Sequence, residues 1–258
     1  AFVCSNRSGW DQVYRLSSIE TPTTIEIQVT DYSSGMALPR VSLRWIDTRD
    51  GSAWDLRTDI NGYASVSLPP NRAYRVEASA PGFILEQTIV TTTETTGQWD
   101  IEMAKVRMLN DANFASKYMG GTPFQLAAIE WSEGTSKLSR KGQLELDELA
   151  DFLKLNPDIF MEIRTHEDAS ELDKSDEPSN RLSKNRGIQL ETALLRRGVS
   201  SKQLLSLGKG ISEISNDCEP GEPCAFYCHE ENERTEFRIY GLLLQVPGQI
   251  DAADFSKD

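Results

Sequence analysis

The stretch THEDASELDKSDEPSNRLSKNRG, from Thr165 to Gly187, holds the residues whose chemistry is most pointed. FMEIR before it reads as a buried strand, and the run after it reads as a helix. His166, Glu167 and Asp168 therefore stand at a strand's exit, and Arg186 near a helix's start. A carboxylate and a guanidinium brought together in this way can do one of two things. They can pair with each other and pin the loop, or they can hold the ammonium and the carboxylate of a zwitterionic ligand between them. With Ser183 as the helix N-cap, Arg186 falls in the first turn, where free backbone N–H groups and the positive end of the helix dipole assist in holding an anion. His166 reads as a packed or hydrogen-bonded group. The pair His166-Glu167 does not continue into H-E-x-x-H, so a zincin is not supported. A hydrolase built on His166 or His229 lacks a recognisable nucleophile partner, because the two histidines are far apart in the chain.

Composition narrows what such a pair could serve. Lys and Arg total 27 against 40 Asp and Glu, a net charge of -13, which argues against broad binding to nucleic acid or to an anionic membrane surface. An anion must then be captured locally, by a specific Arg or a helix N-terminus. The longest apolar run, GLLLQV near the C-terminus, falls well short of the roughly 20 residues that a spanning helix needs. At 258 residues and 38% hydrophobic content, the chain can build the cores of two ordinary domains. Its opening, AFVCSNRSGWDQVYRL, begins abruptly, so the chain reads as a piece whose export signal lies upstream.

Three of the four cysteines, Cys218, Cys224 and Cys228, crowd into DCEPGEPCAFYCH; the fourth is Cys4. A metal site would recruit all three with His229, but C-x5-C-x3-C-H does not match the C-x2-C spacing of zinc knuckles. A disulfide from Cys218 to Cys224, closing the Pro/Gly turn in an oxidising compartment, is the favoured alternative, ahead of free thiols. No metal and no cofactor is expected.

The elements that must position these residues fall into sections. Residues 1–16 alternate around a SNRSGW turn and read as a strand pair too small to fold alone. From Thr23 to Lys105, the segments TIEIQVTD, RVSLRWID, YASVSL, YRVEASA, EQTIVTT and QWDIEMA alternate with the turn signals SSG, RDG, INGY, LPPN and APGF, which predicts an all-β sandwich. That section has no His or Cys, and Asp47, Asp50, Asp55 and Asp59 read as turn residues rather than ligands. The run LNDANFASKYMGGTPF reads as a linker. After it, LAAIEW is strand-like. Leu146, Leu149, Phe152 and Leu153 share one face of a helix from Ser139 to Asn156; IFMEIR gives a strand; Leu190 and Leu194 point inward from a second helix; LLSLGKG and TEFRIYGLLLQV give two more strands. The fold class is thus mixed: an all-β sandwich followed by an α+β domain with helices on one side of a mixed sheet.

The last section resembles the OmpA-like peptidoglycan-binding domain. THED at Thr165 to Asp168, LSKNRG at Leu182 to Gly187 and NERTEF at Asn232 to Phe237 stand where that family has its strand exit, its helix opening and the approach to its last strand. The GKG after the third strand and the C-x5-C loop also resemble versions found in Bacteroidetes. The resemblance implies a non-catalytic module that binds the diaminopimelate residue of the peptidoglycan stem peptide, Asp168 taking the ammonium and Arg186 the carboxylate. Three departures stand out. The loop between the two residues is longer than usual, the family's loop Asn falls on Ser179 with Asn180 one place later, and Thr165 and Glu167 replace a glycine and a threonine. Ser179 and Asn180 are carried as secondary contacts, and Arg234 as a residue bracing the last strand.

The sandwich resembles the carboxypeptidase regulatory-like domain, a transthyretin-like fold, through VTDYSSGMALPRVSLRW, TDINGYASVSLPP and YRVEASAPGF. SNRSGWDQVYRL is similar to the last strands of a β-propeller blade. The expected organisation is a propeller remnant at 1–22, the sandwich at 23–105, a linker at 106–124, the OmpA-like domain at 125–245 and a tail at 246–258. This order resembles the C-terminal part of periplasmic components of the type IX secretion system. It implies a periplasmic location beside the outer membrane, with an upstream lipoprotein-type anchor, and partners comprising peptidoglycan and other secretion-system proteins. The alternative is a structural adaptor whose wall site has degenerated and whose sandwich binds those proteins.

Overall fold

A computed structural model describes residues 2–5, 12–15, 21–92, 97–131, 135–168, 181–216 and 226–241. The tail at 246–258 and the expected contacts Ser179 and Asn180 lie outside these residues, as do Cys218 and Cys224 and the disulfide expected between them. The opening strand pair is present as β1 (Phe2–Ser5) and β2 (Gln12–Arg15), antiparallel.

Seven strands follow: β3 (Thr23–Asp31), β4 (Ser42–Asp47), β5 (Ala53–Arg57), β6 (Tyr63–Leu68), β7 (Ala73–Ser79), β8 (Glu86–Thr91) and β9 (Gly97–Met103). They form two sheets, ordered β6-β3-β9 and β5-β4-β7-β8. Alternation explains the layering. Ile25, Ile27 and Val29 of β3 and Leu43 and Trp45 of β4 all point into one buried cluster with Tyr74, Val76 and Ile101, as a period of two residues requires. The short acids close turns as expected. Asp47 accepts from Arg49 N, Asp50 from Ser52 N, and Asp59 from both Asn61 N and Tyr63 N. Asp55 does not: it lies within β5, a strand that the sequence pattern did not reveal, opposite Arg44. No residue of that edge strand is fully buried, so its sequence carries no clear alternation.

The C-terminal part is built on β10 (Ile159–His166), flanked by β11 (Leu204–Gly210) in parallel and β12 (Thr235–Gly241) antiparallel. Helices α2 (Arg140–Leu155) and α3 (Arg181–Arg196) bring Leu146, Leu149, Phe152, Leu153, Leu190 and Leu194 into the same core as Met161, Ile163, Phe237 and Ile239. Ser139 caps α2 by accepting from Gly142 N at 3.0 Å. On the other face of the sheet, Glu162 stands opposite Arg238 and Arg164 opposite Glu236, so that face is charged. A mixed sheet with its helices packed on the apolar face matches the expected fold of this section.

Two expectations give way. LAAIEW makes no strand: Leu126 bridges to Ile84, and Trp131 to Leu138, with a turn between them. The N–H of Ala128, which a ladder would use, donates instead to the Glu145 carboxylate at 3.0 Å. The stretch at 106–124, read as a linker, is a packed junction. It forms a 3-10 turn at Val106–Asn110 and α1 (Ala112–Ala115), capped by Asp111, and it buries Val106, Leu109, Phe114, Tyr118 and Phe124 in the C-terminal core. These apolar residues outweigh the Gly pair that suggested flexibility. Gly121 itself donates to Ile239 O at 3.0 Å and lies so close to Tyr240 that an added Cβ would fall 2.6 Å from its ring.

Candidate functional site

Asp168 and Arg186 reach the same end of the domain by different routes. β10 and β11 run parallel and finish together, and Asp168 follows β10 by two residues. The entry of α3 is fastened over those strand ends. Thr165 Oγ1 donates to Ser183 O at 2.6 Å, Gly210 N donates to Ser183 Oγ at 3.0 Å, and Glu167 N donates to Gly210 O at 2.9 Å. Gly208 makes this close approach possible, since a Cβ there would lie 2.4 Å from Lys184 N.

The helix entry differs from the sequence reading. α3 begins at Arg181, so Ser183 is inside the first turn, fully buried, and not the N-cap. The backbone N–H of Ser183 donates to the Glu167 carboxylate. Glu167 thereby fills the anion position at the helix N-terminus that was expected to help hold a ligand. Arg186 is the sixth helical residue, one turn further in.

Both groups are buried, Asp168 at 3% exposure and Arg186 at 1%, and each meets a polar partner. His229 Nδ1 lies 2.6 Å from Asp168 Oδ1. Arg186 donates from Nε to Thr135 O at 2.9 Å, stacks its guanidinium over Trp131 at 5.5 Å, and places Nη2 2.5 Å from Glu233 Oε1. Neither arrangement was legible in the sequence. His229 belongs to α4 (Phe226–Asn232) and Glu233 follows it at once, so one short element supplies both partners. Their spacing of four residues was the available signal, since it places two side chains on one helical face. The structure brings Asp168 and Arg186 into one neighbourhood of buried charge together with these two residues.

His166 is packed, as expected. Its ring is 1% exposed, neither nitrogen has a hydrogen-bond partner among the described residues, and burial with Arg234 nearby lowers its pKa to about 4. Arg234 braces the last strand: Nε donates to Glu236 Oε1 at 2.7 Å, Nη2 to Glu213 O at 3.0 Å, and its own carbonyl accepts from His166 N. Cys228 is a half-buried free thiol, and no cluster of three or more His, Cys, Asp or Glu that could hold a metal occurs among the described residues. None of the described helices is long and apolar enough to cross a membrane.

A cleft of about 510 Å³ separates the sandwich from this domain, lined by Arg75 and Glu77 on one side and by Lys117, Tyr118, Glu233 and Arg234 on the other. Glu233 thus stands between the cleft and Arg186. Arg75 pairs with Glu231 of α4 across the gap, and Lys117 pairs with Glu86 at 2.8 Å.

The fold and the site define an α+β domain with a buried, two-signed charge cluster at the ends of its parallel strands. Residues 131–223, which include both Asp168 and Arg186, match the model of the OmpA family. Among solved structures, the chain is similar to the periplasmic domain of Helicobacter pylori MotB (residues 78–256) at 18% identity and a TM-score of 0.40, over 47% of this chain and 76% of that one. A MotB-like protein from Desulfovibrio vulgaris aligns at 15% identity and a TM-score of 0.41, over 53% and 90% of the two chains. The C-terminal domain of H. pylori MotB (residues 125–256) aligns at 20% identity and a TM-score of 0.32, over 50% and 88%. A search of curated proteins finds no match.

Proposed function

We propose that the C-terminal domain binds peptidoglycan without catalysis, gripping the diaminopimelate residue of the stem peptide between Asp168 and Arg186. The observation that carries this reading is the burial of an acid and an arginine, at 3% and 1% exposure, inside the segment that matches the OmpA family. The side-chain end of diaminopimelate bears both an ammonium and a carboxylate, so it complements that pair. Charge-assisted hydrogen bonds contribute roughly 1.5–3 kcal/mol each, while association costs at least about 4 kcal/mol in lost freedom. One stem peptide is therefore held modestly, and retention on the wall comes from many epitopes on one polymer.

The chain as a whole is read as a periplasmic tether, held beside the outer membrane, for a secretion assembly. Its order of strand pair, transthyretin-like sandwich of the carboxypeptidase regulatory-like type and OmpA-like domain resembles the C-terminal part of PorE, a type IX secretion component. The domain limits proposed are 23–105 and 125–245, with the junction at 106–124 packed onto the second. Ser179 and Asn180 remain proposed secondary contacts.

Sacculus pull-down and calorimetry with a diaminopimelate muropeptide test the proposal. Asp168→Ala and Arg186→Ala should each abolish measurable retention, and a Lys-type stem peptide, lacking the second carboxylate, should bind more weakly. Equal binding of the two peptides would contradict the role of Arg186. One observation favours a second reading: His229 and Glu233 already stand against Asp168 and Arg186, as they would in an adaptor whose wall site has closed. In that case neither alanine variant would alter pull-down.

A further inference from the structure

Resting on the wall-binding reading, we infer that His229 and Glu233 form a built-in competitor that imitates the two-signed ligand and must swing aside before the ligand enters. The imitation is chemical. His229 sets its Nδ1 against Asp168, an ionised carboxylate that can only accept, so the tautomer with the proton on Nδ1 puts a donor where an ammonium would sit; Glu233 presents a carboxylate to Arg186 where a carboxylate would sit. Both come from one face of one helical turn, since Glu233 N still donates to His229 O at 3.1 Å.

Accessibility follows the same division. The side chains of Asp168 and Arg186 are 4% and 1% exposed, whereas those of His229 and Glu233 are 26% and 30% exposed. The imitating pair is thus the part of the cluster that solvent, and a ligand arriving from solvent, reaches first. Its backbone is firmly held: Asn232, fully buried, accepts from Ser215 N at 2.8 Å and donates to Asn216 Oδ1 at 3.0 Å, and Glu231 pairs with Arg75 of the sandwich. Opening is therefore a rotation of two side chains over a fixed helix, and no unfolding is needed. The arrangement also leaves a ligand something to gain. Glu233 approaches Arg186 Nη2 closely, yet that nitrogen has no aligned hydrogen bond among the described residues. A free carboxylate can approach in the guanidinium plane and form the two parallel bonds that a tethered one misses.

The consequence is selectivity for ligands that bring both charges. A ligand with a single charge displaces one half of the imitation and leaves the other in place. It also means that the affinity of the resting protein is reduced by the fraction of time the pair is closed.

Calorimetry on the full chain with the tripeptide L-Ala-γ-D-Glu-meso-diaminopimelate tests this, using the near-isosteric variants Glu233→Gln and His229→Gln alongside Asp168→Asn. Each competitor variant is expected to bind the tripeptide about tenfold more tightly than the parent, because the open fraction rises, and Asp168→Asn is expected to lose binding. If both competitor variants, shown by melting curves to be folded, bind as the parent does or more weakly while Asp168→Asn loses binding, the imitation is refuted and the wall-binding reading stands. If neither the parent nor any variant binds, both fall. Should Glu233→Gln not fold, His229→Gln reads the same competition from the Asp168 side.

Discussion

At the scale of single residues, two buried titratable groups act in opposite directions. His166 has its pKa lowered from 6.5 to about 4, first by burial and then by Arg234, against the smaller opposing pull of Glu236 and Glu213. The folded state binds this proton less readily than the unfolded chain, so stability is lost as pH falls from 6.5 towards 4. Glu145, buried between Gly82 N and Ala128 N, has its pKa raised from 4.5 to about 7, chiefly by burial. Here the folded state binds the proton more readily, and stability falls as pH rises through that interval. One proton changes stability by at most about 1.4 kcal/mol per pH unit. The two effects therefore oppose each other where their windows overlap, and Glu145 alone acts just below neutrality. Urea unfolding of His166→Leu between pH 4 and 6.5 is expected to show a shallower acid-side loss than the parent. Glu145→Gln is expected to lose the decline between about pH 6.5 and 7, where His166 no longer offsets it; an unchanged decline would place its origin elsewhere.

Among elements, the decisive contact is between α3 and β11. Gly208 lets the helix backbone approach so closely that an alanine there would collide with Lys184 N and Cα, at 2.4 and 2.5 Å. Backbone cannot rotate away as a side chain can. Gly208→Ala should destabilise the protein by about 1–3 kcal/mol, as overpacking does, and should also lift the start of α3, which carries Arg186. The expected outcome is weaker retention on sacculi even at temperatures where circular dichroism shows the variant folded. Retention equal to the parent would mean that the position of the helix entry does not control the site.

For the whole molecule, the sandwich and the C-terminal domain share buried surface. Ile84, from the turn after β7, is fully buried in the C-terminal core, bridges to Leu126, and lies beside the Gly82 N–H held by Glu145. Leu85 N donates to Gln125 O at 3.0 Å. Ile84→Ala should cost about 2–5 kcal/mol, as large-to-small changes in cores do. Because the residue belongs to the sandwich's chain segment but to the other core, scanning calorimetry should show a single transition in the parent and two in the variant. Protease should likewise spare residues 106–124 in the parent, where the sequence suggested a linker.

Much of this architecture follows from local pattern. Alternation in β3, β4, β6 and β7 and the heptad-like spacing of Leu146, Leu149, Phe152 and Leu153 are written in the chain, because burial of one face imposes a period that residue types display directly. The edge strand β5 escaped for the same reason, having no buried face to display. The charge partners escaped for a different one. His229 and Glu233 lie 61 and 47 positions from Asp168 and Arg186, and no local period links residues so far apart. Glu167 at the helix entry, the junction packed under Ile84, and the closure of the buried charge cluster all arise when separate elements meet. Complementarity between surfaces that touch only after folding is a property of the assembled molecule, whereas the identity and order of its elements can be read along the chain.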